Sequence, residues 1–454
     1  MDAKSKIDTL THSNVAPEPV SLTEAFWYWL KLGFISFGGP AGQISIMHHD
    51  LVEKKRWISE KRFLHALNYC MVLPGPEAQQ LATYIGWLMH RTWGGIIAGV
   101  LFVLPSFFIL MGLAYIYMAY GSVPAVAGVL YGIKPAVVAI VLFAAYRIGS
   151  RALKNRVLWL IAALAFIAIF ALKVPFPIIV LIAGLIGYFG GRISPLHFKV
   201  GGGHGIADKD FGRALIDDDT PTPAHAFFSW KKMVKIAAIG LAIWSVIMAV
   251  LVFEFGWSNA FTQMGWFFTK AALMTFGGAY AVLPYVYQGA VEHYQWLNPT
   301  QMIDGLALGE TTPGPLIIVV TFVGFVGGWV TQVFGPDAIL ASAFVAASIV
   351  TFFTFLPSFI FIFMGAPFIE TTHGNLKFTA PLSAITAAVV GVIFNLALFF
   401  AYHVFWPLGL SGRIDWFSIG LTVVALVAVF RYKANVIPII LTCGILGMAF
   451  KLFF

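Results

Sequence analysis

Charge is what this chain has least of. Asp, Glu, Lys and Arg make up 11% of its 454 residues, against 59% hydrophobic side chains, and the mean hydropathy is +0.86. So few charges cannot cover a water-soluble surface, which excludes a soluble globular domain and leaves a polytopic helical membrane protein. Cysteine is nearly absent as well. Cys70 and Cys443 both lie in apolar runs, so a disulfide framework or thiolate metal site is excluded and each reads as a small packing residue. Residues 1–22 are polar and lack the apolar centre of a cleavable leader, so the first hydrophobic segment is expected to direct insertion. Also missing are a His-Glu-x-x-His helix, a Gly-x-Ser-x-Gly elbow and a paired-aspartate motif, which argues against an enzyme and against a cofactor. His48-His49-Asp50 offers adjacent histidines that diverge around a helix, with no second ligand cluster, so no metal is expected. The net charge of +8 is spread over loops, where it reads as a topology signal and not as a nucleic-acid surface.

What the chain does have is a duplication. FISFGGPAGQ at 34–43 returns as LMTFGGAYAV at 273–282, and the offset of 239 carries Phe37-Gly38-Gly39 to Phe276-Gly277-Gly278. The same offset takes Lys31 to Lys270, Trp57 to Trp296 and Pro74-Gly75-Pro76 to Pro313-Gly314-Pro315. Further on the offset becomes 252, relating Leu104-Pro105-Ser106-Phe107 to Leu356-Pro357-Ser358-Phe359, so the second copy holds a 13-residue insertion. The expected organisation is a polar cytoplasmic N-terminus (1–22), a first repeat (23–192), a polar cytoplasmic linker (193–232), an unpaired transmembrane helix (233–258) and a second repeat (259–454). The linker, with GGGHG and DDDTPTP, reads as a solvated loop.

Basic residues set the orientation, because short basic loops stay in the cytoplasm. In the first copy they gather at Lys54, Lys55, Arg56, Lys61, Arg62 and Arg91, then at Arg147, Arg151, Lys154 and Arg156. The second copy has none between Lys270 and Lys377, and they reappear at Lys377, Arg431 and Lys433, at the opposite ends of the equivalent helices. The expected fold is therefore all-α: a polytopic integral membrane protein of two inverted homologous repeats with broken or re-entrant helices. Two re-entrant pairs and four spans per copy, plus the unpaired helix, give nine full crossings, with a cytoplasmic N-terminus and an external C-terminus.

Glycine pairs and Pro-Gly-Pro inside hydrocarbon leave backbone donors that lipid cannot satisfy, so such breaks must face protein or a watery cavity. Pro40 and Pro76 suit the first helical position after a break, and Ala279 and Pro315 replace them in the second copy. Four helix N-termini at membrane depth would offer free N–H groups and partial positive charge to an anion, and paired interruptions in two inverted copies are the arrangement of a transporter site. A tight helix crossing is the plain alternative for any one Gly-Gly. Lys134, in YGIKPAVV near the centre of its segment, costs about 2.5 to 3.5 kcal/mol to insert and needs a partner. Lys31 and Lys270 read either as site cations or as snorkelling side chains. Donors for a tetrahedral oxyanion are Ser36, Gln43, Gln79, Gln80, Thr275, Tyr280, Thr311 and Thr312, unless their hydroxyls turn to neighbouring carbonyls. Glu77, directly after Pro76, and Glu310, three residues before Pro313, are the carboxylates placed to carry a coupling proton, although Glu77 also suits a cap.

At FGGP (37–40), EKKRW (53–57), LPGPEAQQLATYIG (73–86) and the second-copy FGG and PGP, the chain resembles the chromate ion transporter family in its long, two-domain form. The likeness covers nearly all of residues 24–450. It implies export of chromate from the cytoplasm across the inner membrane, with sulfate as a close mimic and chromate resistance as the outcome. The expected partners are a small inorganic oxyanion, the lipid bilayer and a second copy in a homodimer. Ala279 in place of Pro40, and Leu316 in place of Glu77, suggest that the two halves do not bind equally. An oxyanion uptake carrier, an anion channel and a membrane enzyme acting on lipid phosphates are the alternatives.

Overall fold

The computed structural model describes residues 17–198, 211–221, 223–371 and 379–453. Lys377, used above as a topology marker, and the GGGHG stretch lie outside the described residues. The described residues form helices, with one isolated parallel bridge between Ile58 and Ile216 and no strand.

The first copy comprises α1 (Leu22–Ile35), α2 (Gly39–His48), α3 (Glu60–Cys70), α4 (Glu77–Tyr120), α5 (Pro124–Ala152), α6 (Arg156–Phe170) and α7 (Phe176–Ile193). The unpaired α8 (Trp230–Phe255) follows. The second copy runs α9 (Ala260–Leu273), α10 (Ala279–Tyr287), α11 (Pro299–Thr311), α12 (Val319–Thr331), α13 (Ile339–Thr371), α14 (Thr379–Phe405), α15 (Trp416–Tyr432) and α16 (Val436–Phe453). The duplication reaches local detail that composition does not signal. Ser59 and Asn298, at equivalent positions, cap α3 and α11 with their side chains, each satisfying a first-turn N–H. A π-helical turn closes α2 at His49–Lys54 and α10 at Gln288–His293, again at an offset of 239.

Seven helices among the described residues are long and apolar enough to cross a membrane. Of the nine segments expected to cross, α6 and α15 are shorter, at 15 and 17 residues. The continuous α4 is two helices joined at His90 and Arg91, where Arg91 has φ 57° and ψ −155°. Glycines bring its two arms together, since a Cβ on Gly86 would lie 2.4 Å from the carbonyl of Gly94. In the second copy the extra residues open the same corner into a separate α12 and α13.

The copies interlock. The long α5 of the first packs against α15 and α16 of the second, while α14 packs against α6 and α7, and α5 and α14 cover each other. Small residues permit these crossings: a Cβ on Gly132 would lie 2.0 Å from the carbonyl of Cys443, and one on Gly391 2.0 Å from that of Ala162. Cys443 thus sits in a helix crossing.

The described part of the linker corrects the solvated-loop expectation. Residues 211–221 and 223–229 dock on the end of the first copy. Leu215 and Ile216 donate backbone hydrogen bonds to Arg56 and Trp57 (2.8 and 3.1 Å), and Ser59 N–H returns one to Ile216 (3.0 Å). Arg62 donates to the Thr220 carbonyl (2.6 Å) and Ser59 to Asp218 (2.6 Å). Ile216 and Ala226 are buried. Backbone pairing and two apolar anchors outweigh the polar composition that suggested a free loop.

Candidate functional site

Each break turns on glycines in the left-handed region: Gly38 (φ 89°), Gly39 (69°), Gly277 (77°) and Gly278 (98°) in the Phe-Gly-Gly pair, and Gly75 (132°) and Gly314 (96°) in the Pro-Gly-Pro pair. Residues with a Cβ are strained there. The helices restart close to where the sequence places them. Ala279 begins α10, but Pro40 is the second residue of α2, and Pro76 and Pro315 sit one residue before their helices, in extended conformation. Glu77 therefore takes the first position of α4, and Leu316 opens a 3-10 turn, Leu316–Ile318, before α12.

The breaks are stitched crosswise. Gly75 N–H donates to the Thr275 carbonyl, and Gly314 N–H donates to the Ser36 carbonyl, both at 2.8 Å. An offset of 239 turns either bond into the other, so the contact is reciprocal between the copies. The Gln43 amide nitrogen reinforces the second stitch, donating to the carbonyls of Ser36 (3.2 Å) and Gly314. Gln80 donates to the Pro74 carbonyl (2.8 Å). Backbone that lipid could not satisfy is thus met by the partner break.

The two kinds of break differ in their surroundings. A Cβ on Gly39 or Gly278 would meet nothing within 4 Å, and Gly38 and Gly277 meet only Gly42 at 3.8 Å and Thr386 at 3.6 Å. Gly75 and Gly314 are closely packed instead, with Ser358 Oγ and Ser106 Oγ each 2.4 Å from the Cβ position. Phe-Gly-Gly borders open space; Pro-Gly-Pro is packed into the protein. The two half-helices are not equally covered either. All nine residues of α10 are buried, whereas α2 buries only Gln43 and Met47.

Most side-chain donors named from sequence are occupied within the protein. Ser36 donates to Leu32 (2.6 Å), Thr275 to Ala271 (2.7 Å), and Thr311 and Thr312 to Leu308 and Gly309 (both 2.8 Å). Gln79 donates to Thr83 Oγ1 (3.1 Å) and Tyr280 to the Glu310 carboxylate. These hydroxyls follow the local competition for helix carbonyls. The donors left at the Phe-Gly-Gly breaks are backbone groups, beside Phe37 and Phe276, whose own N–H groups close tight turns onto Ile35 and Met274.

The lysines separate. Lys134 Nζ lies 3.7 Å from Asp304 Oδ2, on α11 of the other copy, which is the partner its burial demands; Tyr117 OH donates to the same oxygen at 3.0 Å. Lys270 sits over the Trp266 ring, 5.5 Å from its centroid. Lys31 is exposed, on the face of α1 that carries Trp27 and Phe34. Of the two carboxylates, Glu310 accepts from Tyr280. His48 and His49 are engaged by Glu53 and Glu60, and no cluster of three or more metal-ligating side chains occurs among the described residues. Asp304, Tyr117, Ser106 and Ser358 were missed from sequence. The shared LPSF motif was the available signal for the two serines, and the demand of Lys134 for a counter-charge was the signal for Asp304.

The family model described as chromate transporter matches residues 23–188 and 262–448, which is both copies and most of the chain. The chain belongs to the chromate transporter family. Among curated relatives, the "Chromate transport protein" of Pseudomonas aeruginosa is 31% identical over 443 residues, 96% of this chain and 94% of that protein. The "Chromate transport protein" of Cupriavidus metallidurans is 30% identical, covering 87% and 86%. The "Probable chromate transport protein" of Synechococcus elongatus is 29% identical, covering 85% of each. No solved structure matches the chain. As a chromate transporter family member the protein is a multi-pass membrane transporter and not an enzyme. The breaks, Lys31, Lys134, Lys270 and both glutamates all fall within the matched ranges, while the whole linker and all of α8 fall outside them.

Proposed function

We propose that this protein exports chromate from the cytoplasm across the inner (plasma) membrane and so confers chromate resistance. The observation that carries the reading is the pair of Phe-Gly-Gly breaks, each bordering open space, in a chain whose relatives over most of its length are chromate transport proteins. In this reading the dianion is held by backbone N–H groups at Gly38, Gly39, Gly277 and Gly278 with the positive charge of Lys31, Lys134 and Lys270, while the stitched Pro-Gly-Pro segments hold the breaks in register. The repeats, 23–192 and 259–454, are inverted. Reciprocal stitching fits any two-fold relation between copies, and the opposed placement of basic residues favours an axis in the membrane plane, with a cytoplasmic N-terminus. Export needs no coupled cation. One charge crossing 100 mV is worth about 2.3 kcal/mol, so a dianion leaving a negative interior gains roughly 4.6 kcal/mol, about three decades of concentration. Glu77 and Glu310, at the Pro-Gly-Pro breaks, are the groups through which protons would modulate reorientation. Sulfate, of the same shape and charge, is the expected competitor, and a homodimer the expected assembly.

Inside-out vesicles test the proposal. Radiolabelled chromate should accumulate when the vesicle interior is made positive, saturate with concentration and fall when sulfate is added. Accumulation indifferent to voltage, or driven only by an interior-negative potential, would reject export.

A further inference from the structure

We infer that Asp304 is a proton-binding site whose state sets the charge that Lys134 presents to the transported anion, so that an anion and a proton are bound together. The inference rests on the oxyanion reading above and adds to it a residue and a stoichiometry.

Asp304 is almost fully buried, at 2% exposure, while the Lys134 side chain is 24% exposed. The lysine side chain is therefore more accessible than the carboxylate it faces. The two carboxylate oxygens are unequal. Oδ2 takes both partners, Lys134 at 3.7 Å and Tyr117 OH at 3.0 Å, whereas Oδ1 is buried with no hydrogen-bond partner. A buried acceptor left bare costs the full desolvation of that group unless something occupies it, and on a carboxylate the smallest occupant is a proton. The Lys134 contact is too long for a tight hydrogen bond, so the ammonium keeps donors for a second acceptor.

The surroundings limit what else can compensate. Of the helices packed on α11, α4 supplies Tyr117 and α5 supplies Lys134; α12, α14 and α16 bring no charged or titratable group that acts on Asp304 among the described residues. With Asp304 ionised, Lys134 is neutralised and offers little to a dianion. With Asp304 protonated, Lys134 is an uncompensated cation inside the membrane, and an oxyanion stabilises it. Proton and anion therefore favour each other's binding, and linkage makes the effect mutual. A carrier loaded this way moves one net negative charge per chromate instead of two, which halves its response to voltage.

Isothermal titration of the purified full chain in lipid nanodiscs, with chromate and with sulfate, in buffers of different ionisation enthalpy, reads the protons taken up per anion. Sulfate is included because it stays a dianion across the range, whereas chromate itself protonates near neutrality. The expected wild-type result is net proton uptake with sulfate and an affinity that weakens by up to about tenfold per pH unit on the alkaline side. Asp304→Asn should bind with no proton uptake and no pH dependence. Tyr117→Phe, which keeps the ring packed against Phe322 but withdraws the hydrogen bond that favours the ionised acid, should move the pH profile upward. Anion binding by the wild type without proton uptake, uptake that persists in Asp304→Asn, or an unmoved profile in Tyr117→Phe overturns the inference and leaves the transport reading intact. A wild type that binds neither oxyanion overturns both.

Discussion

Alanine at Gly314 should destabilise the protein far more than alanine at Gly278, although the two residues have nearly the same positive φ. Their φ angles are 96° and 98°, so both substitutions carry a positive-φ backbone penalty of about 1–3 kcal/mol. They differ in what the new methyl meets. At Gly278 nothing lies within 4 Å, whereas at Gly314 the Cβ would stand 2.4 Å from Ser106 Oγ and 2.9 Å from Ser106 Cβ. Those atoms sit on a buried, packed helix and must be displaced, which adds about 1–3 kcal/mol of overpacking. Thermal midpoints in detergent, followed by size-exclusion chromatography with fluorescence, should thus rank wild type above Gly278→Ala and Gly278→Ala above Gly314→Ala. Adding Ser106→Gly to Gly314→Ala removes both clashing atoms, at about 0.5–1 kcal/mol for a glycine within a helix, and should recover most of the loss. Transport should show the reverse ranking relative to stability, because Gly278 borders the open space: Gly278→Ala should lose chromate flux out of proportion to its small shift in midpoint. Equal midpoints for the two alanine variants, or no relief from Ser106→Gly, would refute the packed character assigned to the Pro-Gly-Pro break.

Three further outcomes are expected. Lys134→Ala leaves the ionised form of the buried Asp304 without its counter-charge and should destabilise by up to roughly 3–5 kcal/mol on the alkaline side, and less where Asp304 takes up its proton; the double variant with Asp304→Asn should restore folding in the midpoint assay but not chromate flux. Cysteines replacing Lys61 and Thr300, exposed and equivalent under the 239 offset, should react with a membrane-impermeant maleimide from opposite sides of intact cells, and same-side labelling would reject the inverted arrangement; their neighbours Ile58 and Leu297 are buried and unsuited to the test. Burial holds the His225 imidazole, which bonds the Trp87 carbonyl at 3.1 Å, below its ordinary value. A depressed folded value means that the docking it supports is complete above the unfolded imidazole value, about 6.5, and weakens as pH falls through the folded one. Hydrogen exchange of residues 211–229, corrected for intrinsic rates, should rise on acidification in the wild type and lose that dependence in His225→Gln.

The fold class, the duplication and the positions of all four breaks were legible because each depends on residues close together in the chain. Apolar runs of spanning length, a repeated FGG and a repeated PGP are local facts, and the structure restarts its helices within a residue of where Pro40, Pro76, Ala279 and Pro315 marked them. Less of the candidate site was legible. Ser36, Thr275 and Thr312 have the chemistry to donate to an anion, but each lies within hydrogen-bond reach of a carbonyl one turn back and takes it. The acidic run in the linker looked like solvent-exposed polar chain, yet Asp217 accepts the Ala214 N–H and Asp218 accepts from Ser59. A count of polar residues does not reveal such pairings.

By itself the sequence determined that this is a duplicated helical membrane protein of the chromate transporter family whose chain must break inside hydrocarbon, since composition, period and glycine or proline backbone chemistry act over a few residues. Only the tertiary structure decided who satisfies whom. Gly75 meets Thr275, Gly314 meets Ser36, and Lys134 meets Asp304, because partners across copies are chosen by which helices interlock, and that depends on the packing of the whole chain.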